Sequence, residues 1–357
     1  MVHEPLHGGT QASGRRARQR SAVTISDVAR QAGVSTGTVS NVLNRPDRVD
    51  PGMVKRVQSA ISALGYVRNS AARSLAAGSS SSVGFVLVDL ANSFFADMAR
   101  GAEVEAERSG FYLLLANSDV RVEKQKAYLE HFAQEQVAGT LLTAVGSDLS
   151  GVPDARGAGQ HVVLLDVDPS CAATSCTVTT DYEAAGYLAA THLIGLGRRH
   201  IAFAGGPLTS HAVGGRWRGA QRAVAESGGY AALEHLDSSD VRVKDGQMIG
   251  ERLLAERTGG TDGIVAAADL VAFGLMQRLL EGGVQIPAEV ALVACDDNKS
   301  AYGSAVPIST IDLPGFEMGR SAMQLLLDEL QNEEHHLHRN VVIPPRLTVR
   351  ESSVGRT

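Results

Sequence analysis

Residues 24–44 read TISDVARQAGVSTGTVSNVLN, and their periodicity predicts the architecture of the amino-terminal part. From Ile25, apolar residues recur at i, i+3, i+4 and i+7, which predicts the buried face of a short helix. Thr24 suits the N-cap of this helix and Gly33 suits its end. Ser35 then caps a second helix beyond a tight turn. Two helices joined by a glycine-containing turn are the helix-turn-helix pattern.

A third short helix follows this pair. Asp50 is placed to cap it, Pro51 suits its first turn, and Gly65 ends it. The next segment, YVRNSAARSLAAGSSSS, has an Ala-rich start that is too short to be a stable helix alone in water, and a flexible Gly/Ser end. We therefore predict a disordered basic tail at residues 1–22, a helix-turn-helix domain at 23–66, and a hinge helix with its linker at 67–82.

The net charge of −6 at pH 7 is divided unevenly along the chain. Residues 1–78 carry +7, whereas residues 79–357 carry −13. A basic head on an acidic body is typical of a protein whose head alone meets a polyanion. A solvated basic tail would give part of the same excess, because four of the head's cations are Arg15, Arg16, Arg18 and Arg20. Charge leaves both explanations open, so the helix pattern has to decide between them.

From Val83 onward, short apolar runs alternate with helical patterns of 12–16 residues. Such βα alternation predicts parallel sheets with helices on both faces, and about 270 residues suit two lobes better than one. The fold class is therefore α/β, with a small all-α head and a two-lobed core. Strands are predicted at residues 83–90, 111–116, 139–144, 161–167, 176–180, 200–206, 263–268 and 290–297. The core is expected at 83–352, with lobe 1 at about 83–178 plus 315–342, lobe 2 at about 179–312 plus 343–352, and a tail at 353–357.

The composition excludes several classes of protein. Hydrophobic residues make up 44% and charged residues 20%, so a wholly disordered chain is excluded. No apolar run approaches the roughly 20 residues of a membrane helix, and no apolar region follows the basic amino terminus as in a signal peptide. The three cysteines form no CxxC pair, which disfavours a disulfide scaffold or a zinc ribbon. We expect a cytoplasmic, nucleoid-associated protein that contacts no membrane, in which Cys171 and Cys176 lack nearby partners.

Several segments in a specific order resemble the lactose/galactose-repressor (LacI/GalR) family of bacterial transcription regulators. They are residues 24–44, GYVRNSAARSLAAG (65–78), VGFVLVDLANSFFAD (83–97), HLIGLGRRHIAFAGGPLTS (192–210), IPAEVALVACDD (286–297), ISTID (308–312) and PPRLTVRES (344–352). The resemblance spans nearly the whole chain from residue 23. It implies a homodimeric repressor whose helix-turn-helix binds palindromic operator DNA. It also implies a periplasmic-binding-protein-like core that binds a small effector, a sugar or sugar derivative.

The resemblance implies a set of DNA-binding residues in the head. Asn41 has an amide that matches adenine in the major groove, and the free N–H groups after Ser35 suit a phosphate. Gly37 departs from the family, which usually offers a side chain to a base there. In the hinge, Leu75 would wedge into a minor-groove base step, and Ala72 would permit close approach. The full expected set is Thr24, Ser26, Ser35, Thr36, Gly37, Thr38, Asn41, Asn44, Asn69, Ala72 and Leu75.

The resemblance also implies a set of effector-binding residues between the lobes. Arg216 matches an effector-clamping arginine, and Asp296 matches a ligand-accepting aspartate. The expected set is Asn92, Phe94, Phe95, Asp166, Arg216, Asp269 and Asp296. For one of the two phenylalanines, packing in the core of its lobe is an equally good explanation. Asp269 follows Ala268 where relatives have an Asn-Asp pair. Ser210 and Ala212 replace the base-binding residues of the purine repressor, which disfavours a purine ligand.

Two other classes of protein share some of these features. A free-standing sugar-binding protein would share the core, but the basic head disfavours it. An enzyme is disfavoured because GxGxxG, Walker, GxSxG and HExxH motifs are all missing. Adjacent Asp296 and Asp297 would point to opposite faces of a strand, so they do not form a paired site. A polar segment with Glu333, Glu334, His335, His336 and His338 favours a solvated loop over a metal site, so no metal and no cofactor are expected.

Overall fold

The computed structural model describes residues 23–67, 80–171, 174–256, 260–301 and 303–355. The chain divides into two compact units, Met1–Gly78 and Ser79–Thr357. The predicted hinge residues Asn69, Ala72 and Leu75 lie outside the described residues. Within the described residues, no helix combines the length and the apolar character that crossing a bilayer requires.

Within residues 23–67, the amino-terminal unit has three α-helices, α1 (Ile25–Ala32), α2 (Thr36–Asn44) and α3 (Pro51–Leu64). The predicted caps are confirmed. The hydroxyl of Thr24 accepts a hydrogen bond from the N–H of Asp27, and the Asp27 carboxylate accepts one from the N–H of Thr24. This reciprocal pair satisfies two backbone donors at the start of α1. Gly33 ends α1 in the left-handed region, with φ at 66°.

The other two helices of this unit begin in the same way. Ser35 caps α2 by accepting from the N–H of Thr38, and Asp50 caps α3 by accepting from the N–H of Met53. The apolar faces of the helices meet in a small core, whose fully buried residues are Val28, Val39 and Val57. Because the core takes the apolar side of each helix, the polar side of α2 is left on the surface.

The second unit contains two six-stranded sheets. The first sheet contains β1 (Ser82–Leu87), β2 (Tyr112–Asn117), β3 (Gly139–Thr143), β4 (His161–Leu165), β5 (Thr177–Thr180) and β11 (Asn340–Ile343). The second contains β6 (His200–Ala204), β7 (Ala232–Leu236), β8 (Gly263–Ala266), β9 (Ala291–Asp296), β10 (Ser309–Asp312) and β12 (Arg346–Thr348). The parts built on these two sheets are called lobe 1 and lobe 2 below.

Both sheets have the same connectivity. The orders are β11-β5-β4-β3-β1-β2 and β12-β10-β9-β8-β6-β7. Each pairing between described strands is parallel except that of β10 with β12, which is antiparallel. The predicted α/β class with parallel sheets is confirmed. In such sheets ligands bind beyond the carboxyl ends of the strands, so this topology indicates where to look for a site.

The helices of the core are α4 (Ser93–Arg108), α5 (Val122–Gln134), α6 (Val152–Gly157), α7 (Tyr182–Gly195), α8 (His211–Glu226), α9 (Val243–Ala255), α10 (Asp269–Glu281), α11 (Gly315–Gln331) and α12 (Glu351–Val354). They pack in pairs, α4 with α11, α7 with α8 and α9 with α10. Glycines make these contacts close. A Cβ atom at Gly186 on α7 would collide with the backbone carbonyl of Arg216 on α8, so this glycine lets Arg216 approach α7.

The eight predicted strands are confirmed within three residues at each end. Four more strands, β7, β10, β11 and β12, were not predicted. They have three to five residues each, and β7 and β11 alternate exposed and half-buried positions at the edges of their sheets. Three of the four, β7, β11 and β12, are edge strands, and strands this short depend on pairing with a neighbour and so carry little local signal. The short helix α6 was not predicted either, because six residues are too few to show a helical periodicity.

Candidate functional site

The candidate DNA-binding residues of the head lie on its surface wherever they are described. Seven of the eight are exposed, and Thr38 is half-buried. The eight are Thr24, Ser26, Ser35, Thr36, Gly37, Thr38, Asn41 and Asn44. Four of them, Thr36, Gly37, Thr38 and Asn41, lie in the first two turns of α2.

The first turn of α2 has a defined hydrogen-bond geometry. The hydroxyls of Ser35 and Thr38 lie 2.9 Å apart, and the Ser35 hydroxyl also accepts from the N–H of Thr38 at 3.1 Å. These bonds fix the entry into the helix. Asn41 lies one turn further on and is exposed. This end of α2 therefore combines hydroxyls, a side-chain amide and helix N-terminal N–H groups, which are suited to phosphates and base edges.

In the core, Arg216 and Asp296 form a buried ion pair at the carboxyl ends of the strands of lobe 2. The Nη2 of Arg216 donates to Oδ1 of Asp296 at 2.6 Å, and Nη1 donates to the carbonyl of Ala267. The guanidinium lies over the ring of Tyr182, 5.1 Å from its centroid. Burial acts to lower the pKa of Arg216, but Asp296 and the other acidic groups around it together raise that pKa.

Asp166, a residue of lobe 1, lies beside the ion pair of Arg216 and Asp296. It follows β4 directly, and its carboxylate accepts a hydrogen bond from the hydroxyl of Tyr182, the first residue of α7. Burial raises the pKa of Asp166 to about 6, although Tyr182 and Arg216 both act to lower it. Burial also raises the pKa of Asp296. Two carboxyl groups and one guanidinium are thus gathered between the carboxyl ends of β4 and β9.

The backbone is strained at these carboxyl groups. Asp166 has φ at 60°, Asp296 at 136° and Asp297 at 52°. Positive φ in residues other than glycine is uncommon and concentrates at binding and catalytic sites. As predicted, the two adjacent aspartates diverge, because Asp297 pairs with Nη2 of Arg350 at 2.7 Å while Asp296 pairs with Arg216.

Hydrogen bonds join the lobes beside this cluster. Asn92 caps α4, and its Oδ1 accepts both from the N–H of Phe94 at 3.0 Å and from Nδ2 of Asn298 at 3.2 Å. Lys299 forms an ion pair with Asp97, with Nζ 2.6 Å from Oδ2. Asn92 and Asp97 belong to lobe 1, whereas residues 298 and 299 follow β9 in lobe 2. A ligand that moves the lobes relative to each other has to alter these bonds.

Phe94 and Phe95 occupy different environments. Phe94 is 7% exposed and packs in the main core, whereas Phe95 is half-buried. Their ring centroids are 5.5 Å apart. Phe95 therefore has the more accessible ring, and the buried ring of Phe94 packs beside it.

Asp269 differs from the other candidate effector residues, because its carboxylate is already engaged inside lobe 2. Oδ1 accepts from the hydroxyl of Thr310 at 2.7 Å, and Oδ2 accepts from the N–H of Asn298 at 2.9 Å. Burial, together with the charge of Asp296, raises the pKa of Asp269 to about 8. The geometry makes Asp269 an anchor for the loop after β9, and an effector contact stays a prediction.

Sequence reasoning missed several neighbours in this region. Tyr182 had a signal, because it directly follows the N-cap Asp181 of a helix that begins at the carboxyl end of a strand. Asn298 had none beyond following the aspartate pair.

The expectation that Cys176 lacks nearby partners was wrong: its Sγ lies 3.1 Å from Nε2 of His336, because β5 and β11 pair side by side.

Comparison with known proteins decides the family. The model for "Bacterial regulatory proteins, lacI family" matches residues 24–69, and that for a periplasmic binding protein-like domain matches residues 190–353. The ribose operon repressor of Bacillus subtilis (strain 168) is 32% identical over 310 residues, which cover 87% of this chain and 92% of that protein. The chain belongs to the LacI family of bacterial transcriptional regulators. The repressor PurR of Vibrio parahaemolyticus is 29% identical over 92% of this chain and 98% of its own length.

Solved structures agree with this LacI-family assignment. The Lac repressor dimer bound to operator and the anti-inducer ONPF has a TM-score of 0.81 at 23% identity, and the match covers 94% of this chain and all of that one. At this identity the likeness shows the fold. The complex of the regulator CelR with cellobiose has a TM-score of 0.68 at 28% identity, covering 93% and 100%.

The LacI-family regulator is therefore a DNA-binding protein with a helix-turn-helix head and a periplasmic-binding-protein-like core. Its relatives are transcriptional regulators rather than enzymes. The alternative of a sugar-binding protein without a role on DNA is disfavoured, because the family model for the DNA-binding domain matches the head.

Proposed function

We propose that this regulator represses a carbohydrate-utilisation operon, and that a small sugar-like effector bound between its lobes controls its affinity for a palindromic operator. The observation that carries the proposal is the cluster of Asp166, Arg216 and Asp296 between the carboxyl ends of β4 and β9. Carboxylates and a guanidinium fork suit the vicinal hydroxyls of a sugar. The ribose operon repressor and the CelR–cellobiose complex make a sugar the first class to test.

An unsatisfied donor supports a ligand at this cluster. Among the described residues, the buried Nε of Arg216 has no hydrogen-bond partner. A buried polar atom without a partner costs about 1–3 kcal/mol, so a hydroxyl that accepts from it would be favoured. Phe95 offers a half-buried ring at the start of α4, against which the apolar face of a sugar can stack.

Purines are a weaker proposal, although PurR proteins are among the similar relatives. Ser210 and Ala212 stand where we expect the base-binding residues of the purine repressor. Neither side chain is long enough to reach a base in the way an arginine would. A sugar therefore remains the effector class proposed.

On DNA, we assign the reading role to α2. Asn41 and Thr36 would contact base edges, and the N–H groups after Ser35 would bind a phosphate. Leu75, outside the described residues, is proposed as the minor-groove wedge. Two identical chains would bind the two halves of the operator, and we place this regulator in the cytoplasm.

The coupling follows from two-state linkage. A sugar can change operator affinity only by binding two conformations of the core unequally. The bonds between Asn92 and Asn298 and between Asp97 and Lys299 join the lobes, so a change in the angle between the lobes would alter them. The two conformations would differ in how well the two heads fit the operator together.

The first part of the test is a random-library selection with the full-length chain at near-physiological salt. Enrichment of an inverted repeat is expected. Failure to enrich any inverted repeat would refute binding as a symmetric dimer.

The second part is a thermal-shift screen of the same protein with mono- and disaccharides, sugar phosphates and nucleobases. A concentration-dependent rise in Tm with one sugar is expected from mass action, and it should be absent in Arg216→Ala. A rise only with nucleobases would replace the sugar proposal by a purine one.

A further inference from the structure

A second cluster of polar side chains lies in lobe 1, at the amino-terminal ends of its strands. It lies opposite the cluster of Asp166, Arg216 and Asp296, which is called the effector cleft below. Cys176 directly precedes β5, and His338 lies two residues before β11. Both strands run parallel to β4, whose last residue, Leu165, precedes Asp166 in the cleft. A strand of five residues spans about 16 Å, so the cluster and the cleft are separate sites.

Four side chains converge in this cluster. Cys176, Glu329, His336 and His338 each offer one ligand atom, and these four atoms all lie within 4.8 Å of one another. The Sγ of Cys176 is 3.1 Å from Nε2 of His336 and 3.9 Å from Nδ1 of His338. Glu329 comes from the last turn of α11, and the two histidines come from the segment between α11 and β11.

We propose that this cluster, here called the CEHH site, binds one Zn²⁺ ion through Cys176 Sγ, His336 Nε2, His338 Nδ1 and a carboxylate oxygen of Glu329. Tetrahedral zinc with Zn–S and Zn–N bonds of usual length separates sulfur from nitrogen by about 3.6 Å. The two observed S–N distances, 3.1 and 3.9 Å, lie on either side of this value. One thiolate and one carboxylate also balance the charge of the ion, so a neutral site results.

The surroundings orient these ligands as a metal site requires. Nδ1 of His336 lies 3.1 Å from Oδ2 of Asp328, so the Nδ1 proton is donated to the carboxylate and the Nε2 lone pair faces Cys176. A carboxylate behind a histidine is the usual outer partner of a zinc ligand. The N–H of Arg339 donates to Cys176 Sγ at 3.3 Å, which suits a thiolate.

Glu329 supplies an independent sign of a missing partner. It is 6% exposed, and its Oε1 lies 3.1 Å from Nδ1 of His161. Its other oxygen, Oε2, is buried and has no hydrogen-bond partner among the described residues. A buried carboxylate oxygen without a donor is costly, and a cation would remove that cost.

The site differs from what the sequence alone predicts. We expected a solvated loop at residues 333–338, and the exposed Glu333, Glu334 and His335 fit that prediction. The side chain of His336 does not, since it is only 2% exposed. Its partner Cys176 is 160 residues away in the chain, so no spacing motif indicates the pair.

A zinc ion here would hold the segment after α11 against β5. Cross-linking residues so far apart closes a long loop, which is where a metal clip restricts the unfolded chain most. We therefore assign the CEHH site a structural role in lobe 1, independent of sugar and operator. His338 is exposed, which gives the ion a route to the site.

The test uses the full-length chain without a histidine tag, purified in buffers free of chelator. We expect about one zinc per chain after dialysis, and a rise in Tm when Zn²⁺ is added back to chelator-treated protein. Substitution by Co²⁺ should give the intense visible bands of a tetrahedral site and a thiolate-to-cobalt charge-transfer band. Substoichiometric zinc together with a weak octahedral cobalt spectrum would overturn the proposal.

Matched variants assign the ligands. Cys176→Ser should remove the charge-transfer band, whereas Cys171→Ser, at an exposed cysteine, should keep it. Because Cys176 is buried and its variant can fail to fold, His338→Gln provides a second test at an exposed position. It should abolish tetrahedral cobalt binding, whereas His335→Gln should not. Equal loss in both histidine variants, or retention in both, would refute the CEHH site.

Asp328→Asn tests the outer partner. It should weaken zinc affinity by about 10- to 100-fold while leaving one zinc bound at saturation. Unchanged affinity would mean that Asp328 does not orient His336.

Discussion

The head and the effector cleft present their candidate residues in opposite ways. In the head, Thr24 and Ser35 are exposed and bond to residues three positions away. In the cleft, Arg216 is 4% exposed and bonds to Asp296, 80 residues away. The head's reading surface is thus built on local capping, whereas the cleft exists only when distant strands and helices have come together.

A substitution in the head can therefore change DNA binding without changing stability. A substitution in the cleft is expected to change both ligand binding and stability. An exposed side chain on α2 can be removed at little cost to the fold. A buried charged group in the cleft leaves its partner unpaired when it is removed.

Arg216→Ala should reduce the free energy of unfolding of the core by about 3–5 kcal/mol, because the charge of Asp296 is left buried without its partner. It should also abolish binding of the sugar found by thermal shift. Urea unfolding and calorimetric titration measure the two effects. Arg218→Ala, at an exposed arginine on the same helix, is the control and should change neither. A stable Arg216→Ala variant with full sugar affinity would contradict the cleft assignment.

Asn41→Ala should weaken specific operator binding by about 1–3 kcal/mol, since one bidentate base contact is lost. Its Tm should stay at the wild-type value, because Asn41 is exposed. Fluorescence anisotropy with the selected operator measures the affinity. Gln58→Ala, at an exposed position on α3, serves as the control. If both variants bind the operator equally well, α2 does not read bases through Asn41.

Asp166→Asn should change the pH dependence of stability. The pKa of Asp166 is raised to about 6, so the folded state takes up its proton more readily than the unfolded chain does. Ionised Asp166 therefore destabilises the fold above pH 6, and this cost disappears as the pH falls through 6 toward 4. The variant's advantage over wild type should be about 1 kcal/mol larger at pH 8 than at pH 5, because part of the cost is already present at pH 5. Calorimetry without ligand at both pH values measures it, and an equal difference at the two would contradict the raised pKa.

Thr24→Ala should cost about 1 kcal/mol of head stability through loss of the N-cap of α1. Thr24→Ser keeps the hydroxyl and should restore most of it. Hydrogen exchange of the amides of α1 reports the change. Faster exchange in both variants alike would show that the methyl group, rather than the cap, carries the effect.

The head could be predicted almost completely from the sequence, because Thr24, Ser35 and Asp50 act on backbone groups within three residues. The cleft could be predicted only in part. The resemblance pointed to Arg216 and Asp296, yet their mutual ion pair and the contact between Asp166 and Tyr182 depend on where strands end in space.

Other features had no local signal. The edge strand β11 has only four residues, and it pairs with β5 because the chain returns to lobe 1 with α11. The same return brings His336 to Cys176. Periodicity describes one helix or strand at a time, so it cannot predict contacts between residues 160 positions apart.

The central claim is that a sugar in the cleft controls binding to DNA by the head. The most direct measurement is the affinity of the full-length chain for its selected operator, with and without a saturating concentration of the sugar that raises its Tm. We expect the sugar to change the operator affinity of the wild-type protein by at least about 5-fold and that of Arg216→Ala not at all. A sugar that binds the core of the wild-type protein and leaves operator affinity unchanged would contradict it.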